Sequence, residues 1–304
     1  MKLTHADSSL SLTGLIALSL ILIFIWGSAY NMVGVGVDYI SPIWLVAYRL
    51  IIGAVLVTAY VLYKGYKFPP LTDKRWIWYF MLGMSGSVVP FFLLSVGQQT
   101  VDSGITSIMV GIMPLMTIVL AHFFTDEKLN AQKLIGFVIG FFGIVILFLP
   151  DDFSLSLVSD WKAQSLIVAA ALCYAITTVG AKRAPDTSSS VAAAMMLISA
   201  AIIGLIAAVL SGIPPERPEP MGIYMAIGLG VGSTAIATIL YLYVIAQSGP
   251  SLMAKINYFV PITSVFFGVW LLNEVFSWRM VASFIIIALG VTISRLQTRK
   301  PIKA

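Results

Sequence analysis

An all-α integral membrane fold, with ten transmembrane helices as two inverted-topology five-helix repeats around a central cavity, is what the sequence predicts. Three observations carry it. The 304 residues are 59% hydrophobic and only 10% charged; a soluble domain carries roughly 25% charged residues, so lipid must solvate most of the exterior. Apolar runs of spanning length recur ten times, and a helix rising 1.5 Å per residue needs about 20 residues to cross roughly 30 Å of hydrocarbon. Informative residues also recur at one offset. Pro114, Glu127 and Gly143 are echoed 147 positions later by Pro261, Glu274 and Gly290, and Gly83 and Phe137 by Gly230 and Phe284. In a chain about twice that long, this argues for a duplicated unit.

The first run, near 14–34, follows a single Lys2 and has no convincing small-x-small cleavage site, so it is read as helix 1 and not as a removed leader. Without it the halves would hold four and five helices. Runs near 43–63, 75–95, 100–122 and 132–150 complete the first repeat, 14–150. Stretches such as LIGFVIGFFGIVILFLP do not alternate, which excludes the strands of a closed barrel. A polar linker, 151–161, follows. Its Asp151 and Asp152 have no further ligand nearby and are read as a solvated loop. Runs near 162–181, 190–211, 221–245, 251–272 and 278–296 form the second repeat, 162–296, in which PPERPEP (Pro214–Pro220) is a stiff connector. Residues 1–13 and 297–304 are cytoplasmic ends; the basic tail can pair with anionic lipid heads.

Basic residues set the orientation. With the N-terminus cytoplasmic, thirteen Lys and Arg lie inside and three (Lys162, Arg217, Arg279) outside. Five helices per repeat then insert the second half upside down. Glu127 becomes cytoplasmic and Glu274 external. This is a pattern typical of secondary transporters. The expected location is the cell inner membrane, multi-pass, both termini cytoplasmic. The net charge of +5 therefore expresses topology rather than nucleic-acid binding. Cys173 is alone, so no internal disulfide forms and it reads as a small core residue.

Enzyme chemistry is not expected. Gly83-Met84-Ser85-Gly86 has the GxSG form of intramembrane serine proteases, but Ser85 sits near mid-membrane and His122 at the end of helix 4, out of reach as a base. Gly34-x-Gly36 follows no strand and makes no nucleotide loop. No catalytic residue, metal or cofactor is assigned. All 13 carboxylates fall in loops or at helix ends, so none is placed mid-helix to shuttle protons. Arg49 and Lys255 lie about five residues inside their helices, a depth of about 8 Å at 1.5 Å per residue. Each either lines a pathway or snorkels to the head groups. With only cations near the pathway, an anionic or zwitterionic substrate is favoured. Coupling through His122 and absence of coupling both stay open.

Polar and aromatic groups gather in helices 1, 3, 4, 6, 8 and 9. The candidate substrate-binding set is Trp26, Tyr30, Asn31, Arg49, Tyr79, Ser107, Met113, Tyr174, Thr178, Thr238, Tyr241, Lys255 and Tyr258, with Pro114 and Pro261 as hinges. Each hydroxyl could instead serve its own helix, and Trp26 and Tyr174 could be core or belt aromatics. Lys255 precedes a helix-bending proline beside Asn257 and Tyr258, where freed carbonyls suit a wet lining.

The segments LILIFIWGSAYNMVGVG, YRLIIGAVLV, SGITSIMVGIMPLMTIVLAHFFTDEKL and GPSLMAKINYFVPITSVFFGVWLLNEVF resemble EamA domains, two of which cover about 14–296. The resemblance implies the drug/metabolite transporter superfamily, with a cavity lined by helices 1, 3, 4, 6, 8 and 9, and often export of amino acids or related metabolites. Lys255 departs from the uncharged residue many members carry, and marks a carboxylate-bearing substrate. The expected function is secondary transport of a small polar or amphipathic metabolite by alternating access, export favoured. The alternatives are import or facilitated movement of another class, or a non-transporting scaffold or receptor. The expected partners are a small-molecule substrate and the bilayer, with the chain a monomer or weak homodimer.

Overall fold

In lipid, each backbone N–H and C=O must find a partner within its own segment, so an apolar run becomes a helix. The computed structural model describes residues 12–124, 130–148, 161–215, 219–248 and 250–295. Among these the chain forms ten helical rods and no strand. They are α1 (Leu12–Val37), α2 (Pro42–Tyr63), α3 (Arg75–Gly97), α4 (Ser103–Phe124), α5 (Ala131–Phe148), α6 (Trp161–Lys182), α7 (Ser189–Leu210), α8 (Pro220–Gly228 running on through Leu229–Ile236 and Ala237–Ser248), α9 (Pro250–Leu272) and α10 (Trp278–Arg295). Seven are long and apolar enough to cross a membrane, and shorter apolar stretches occupy 131–143, 259–272 and 278–294. Glu127, Lys128, the Asp151–Asp152 pair and both chain ends lie outside the described residues.

Local chemistry sets the ends. Pro42 and Pro220 open α2 and α8, where a missing N–H is harmless. Gly65 and Gly212, at φ 71° and 72°, turn the chain after α2 and α7 in a conformation that side chains resist. Asp73 accepts from the Arg75 backbone N–H at 2.9 Å and from its guanidinium at 2.8 and 3.1 Å. These bonds start α3 and hold the Asp73 carboxyl below its ordinary range.

Three rods are irregular inside. A π-helical stretch covers Met84–Val88 in α3, and another covers Leu229–Ile236 in α8. Residues 147 positions after the first fall within the second. α4 is interrupted at Gly111–Ile112, just before Pro114, whereas α9 continues unbroken through Pro261. The rods pair as α5 with α10, α2 with α7, α1 with α9, α4 with α6, α2 with α8 and α3 with α7. Exchanging the first five rods for the last five maps these pairings onto themselves. Core residues such as Leu50, Met195 and Leu197 fill the α2–α3–α7 side, and Met109, Leu115 and Ile167 the α3–α4–α6 side.

Candidate functional site

The site begins where two glycines let rods touch. A Cβ on Gly230 would fall 2.6 Å from Ile52 Cβ, and one on Gly53 would fall 2.5 Å from Thr234 Cγ2. α8 therefore lies against α2 and delivers Ser233 and Thr234 to Arg49. Arg49 Nη2 donates to Ser233 Oγ at 2.9 Å and Nε to Thr234 Oγ1 at 3.2 Å. Its Cζ stands 3.7 Å from the centroid of the Phe91 ring, within cation–π range. The side chain is 4% exposed. No carboxylate among the described residues lies within ion-pair distance of it. Two of five guanidinium N–H groups are committed to these hydroxyls, which leaves donors for an anion.

Arg49 lines a cavity of about 160 Å³ between the halves. Trp26 and Tyr30 of α1 form one wall, with Trp26 edge-on to Tyr241 of α8 at 6.0 Å between centroids. Tyr174 and Thr178 of α6 face them, and Thr238 continues the α8 wall. Ser107, Met113 and Pro114 of α4, and Asn257 and Pro261 of α9, complete the lining. Several hydroxyl protons serve their own helices. Ser107 donates to Gly104 O at 2.7 Å, Thr178 to Tyr174 O at 2.9 Å and Ser233 to Leu229 O at 3.0 Å. Their oxygens stay available as acceptors. Each proline lacks the N–H that would meet the carbonyl four residues earlier. Those carbonyls belong to Val110 and Asn257, both in the lining and 147 positions apart.

Gln98, at the end of α3, is a lining residue that the sequence reading did not single out. It is 6% exposed, and its Nε2 donates to Tyr30 O at 2.9 Å. Because a carbonyl faces it, that atom must be the nitrogen. Oε1 is thereby pinned, buried and, among the described residues, without a hydrogen-bond partner.

Two expected site residues lie elsewhere. Tyr79 is buried in the α2–α3–α7 core, and its hydroxyl donates to Pro185 O at 3.2 Å in the turn after α6. A loop carbonyl satisfies it, so it is a packing residue. Asn31 is buried in the α1–α9 seam, where Nδ2 donates to Gly27 O at 3.1 Å and Ser264 O at 3.2 Å. α9 runs through Lys255 and Tyr258, whose side chains lie outside the described residues. Ser85 Oγ donates to Met81 O at 3.0 Å and meets the Thr177 hydroxyl at 2.8 Å.

About one helical turn before the lining residue Ser107, a carboxylate ties three rods together. Glu274 accepts from the backbone N–H of Ser103 at 2.8 Å and of Gly104 at 3.0 Å. The Ser103 hydroxyl lies between Glu274 Oε1 and Asn31 Oδ1, 2.8 Å from the latter. Ser264 Oγ reaches Ser103 O at 3.3 Å. Asn273, at a left-handed φ of 54°, turns the chain so that the Glu274 N–H returns to Gly268 O at 3.1 Å. A side chain at position 268 would overlap the carboxylate. The seam joins α1, α4 and α9 through the loop before α10. Beside it, desolvation and the negative charge of Glu274 raise the Asp102 carboxyl above its ordinary value.

A family model described as the EamA-like transporter family matches residues 13–149 and 161–296. A curated relative from Escherichia coli K12, named as the uncharacterized inner membrane transporter YedA, is 26% identical over 296 residues, covering 93% of this chain and 92% of that protein. Another from Bacillus subtilis 168, named as the uncharacterized transporter YoaV, is 25% identical over 280 residues, covering 91% and 94%. A solved crystal structure superposes with a TM-score of 0.68 at 18% identity, over 94% of this chain and 99% of that one. At that identity the likeness concerns the fold alone.

Proposed function

Because the chain belongs to the EamA-like transporter family, we propose that this multi-pass membrane transporter moves a small polar or amphipathic metabolite bearing a carboxylate, an amino acid or a relative of one, across the cell inner membrane. The observation that carries the reading is Arg49, a cation in the cavity wall with hydroxyl and aromatic neighbours and, among the described residues, no counter-anion. A buried charge without a partner costs several kcal/mol. A carboxylate on the unused guanidinium donors would offset that cost with charge-assisted bonds. Gln98 Oε1 suits a donor on the same molecule, as do the carbonyls of Val110 and Asn257. Trp26, Tyr30, Tyr174 and Tyr241 would clamp its apolar part. Lys255 and Tyr258 stay candidates by sequence.

Transport would proceed by alternating access, the halves rocking about Pro114 and Pro261. The exchange-invariant pairing of rods and the two family matches support two related halves; the distribution of basic residues supports their inverted topology with both termini cytoplasmic. Export is favoured by resemblance to exporters. The test is a thermal-shift screen of amino acids, hydroxy acids and other small carboxylates on purified protein, followed by flux of each stabilising compound in proteoliposomes. A stabilising carboxylate that moves saturably supports the reading. Stabilisation by amines or cations alone, or binding with no flux, overturns it.

A further inference from the structure

We propose that Asp102 and Glu274 are alternative caps for one helix end, and that exchanging one for the other opens the cavity on the Glu274 face. The first N–H groups of α4 have no partners in the helix. In this structure Glu274 takes two of them, from 171 residues away in sequence for Ser103, at the end where the helix dipole favours an anion. Asp102 occupies the N-cap position with φ −54° and ψ 148°, yet its carboxylate makes no capping bond. That backbone conformation is the one a capping residue uses, and Asp is among the best caps. Its usual targets are the N–H groups of Gly104 and Ile105, and Glu274 holds the first of these. Asp102 is left beside a like charge, and its raised carboxyl agrees with that placement.

Withdrawal of Glu274 therefore need not orphan the Gly104 N–H, the one of its two donors that an N-cap side chain reaches. Rotation of the Asp102 side chain replaces a bond between halves by one within α4, and the Ser103 hydroxyl keeps Asn31 Oδ1. Two capped states of similar energy are what a two-sided carrier requires. The second half holds Gly249 and Pro250 at the positions echoing Asp102 and Ser103, so the exchange belongs to one end only. The inference deepens the transport reading and rests on it, but its test needs no substrate.

The full chain carries Cys173→Ser and a cavity reporter, Ser107→Cys, in liposomes, and is labelled with a membrane-impermeant methanethiosulfonate. A separate Val275→Cys, at a position 78% exposed next to Glu274, identifies that face of the vesicles. Glu274→Gln should speed labelling of the reporter from that face about tenfold, since an uncharged amide holds the helix end less well. In that background no charge repulsion acts on Asp102. There Asp102→Ala should slow labelling about fivefold, the worth of one N-cap, while Asp102→Asn, an equally good cap, should not. If Glu274→Gln does not fold, the Asp102 pair alone must still differ about fivefold with Glu274 present. Equal rates for Asp102→Ala and Asp102→Asn overturn the proposal, as does Glu274→Gln labelling no faster than its parent. Absent flux in the parent chain with Ser107 intact, alongside the expected labelling of the reporter chain, would count against the transport reading and still support the cap exchange.

Discussion

Replacing Arg49 by Met separates a substrate anchor from a structural strut. The change removes two hydrogen bonds, to Ser233 and Thr234, each about 1.5–3 kcal/mol for a charged donor. It also removes the contact with Phe91, about 0.5–2 kcal/mol. Against these stands relief from burying an unpaired guanidinium, several kcal/mol in the other direction. The terms nearly cancel, so the melting temperature of the empty protein should stay within about 3 °C of the parent. Binding has no such cancellation. Removing one partner of a buried charge pair costs about 3 kcal/mol, which weakens Kd about 150-fold. Arg49→Lys keeps the charge without the planar fork and should fall between, at about tenfold. Thermal unfolding with and without a stabilising carboxylate, joined to titration calorimetry, reads both quantities. A melting temperature lowered by about 10 °C with Kd unchanged would refute the reasoning and make Arg49 a strut between α2 and α8.

Gln98→Leu should weaken binding of a substrate carrying an N–H or O–H donor about tenfold while leaving its analogue without that donor unchanged, because Oε1 is the unpaired acceptor; calorimetry on the two ligands checks this. Tyr79→Phe removes one hydrogen bond to Pro185 O and should cost about 1 kcal/mol of stability with no change in Kd. Asn273→Val places a β-branched residue at φ 54°, which costs about 1–3 kcal/mol; it should displace Glu274 and speed labelling of a cavity cysteine from that face.

The helices were legible because lipid admits so few alternatives. Their ends moved by only a few residues, as where the run near 100–122 became Ser103–Phe124. Depth alone left Arg49 between snorkelling and lining a pathway. The contact that decides its neighbours depends on Gly53 and Gly230, 177 positions apart, and no local pattern reveals that they meet. Tyr79 misled for the same reason: its partner is a carbonyl 106 residues away. Gln98 stands beside Gln99 and Thr100 at the end of its apolar run, and nothing local distinguishes the one that turns into the cavity. Glu274 was visible as an echo of Glu127, but its bonds to Ser103 and Gly104 belong to tertiary structure.

Where α5 meets α10, a Cβ on Gly290 would stand 2.5 Å from both Gly136 O and Gly140 N. Backbone rests on backbone there, with no side chain able to yield between. Such a contact behaves as a keel: it holds the two rods, one from each half, as one stiff plank that rocking about Pro114 and Pro261 must leave in place. A spin-label pair straddling this plank should report one unchanging distance with or without ligand, and so supplies the ruler against which displacement of the remaining rods can be measured.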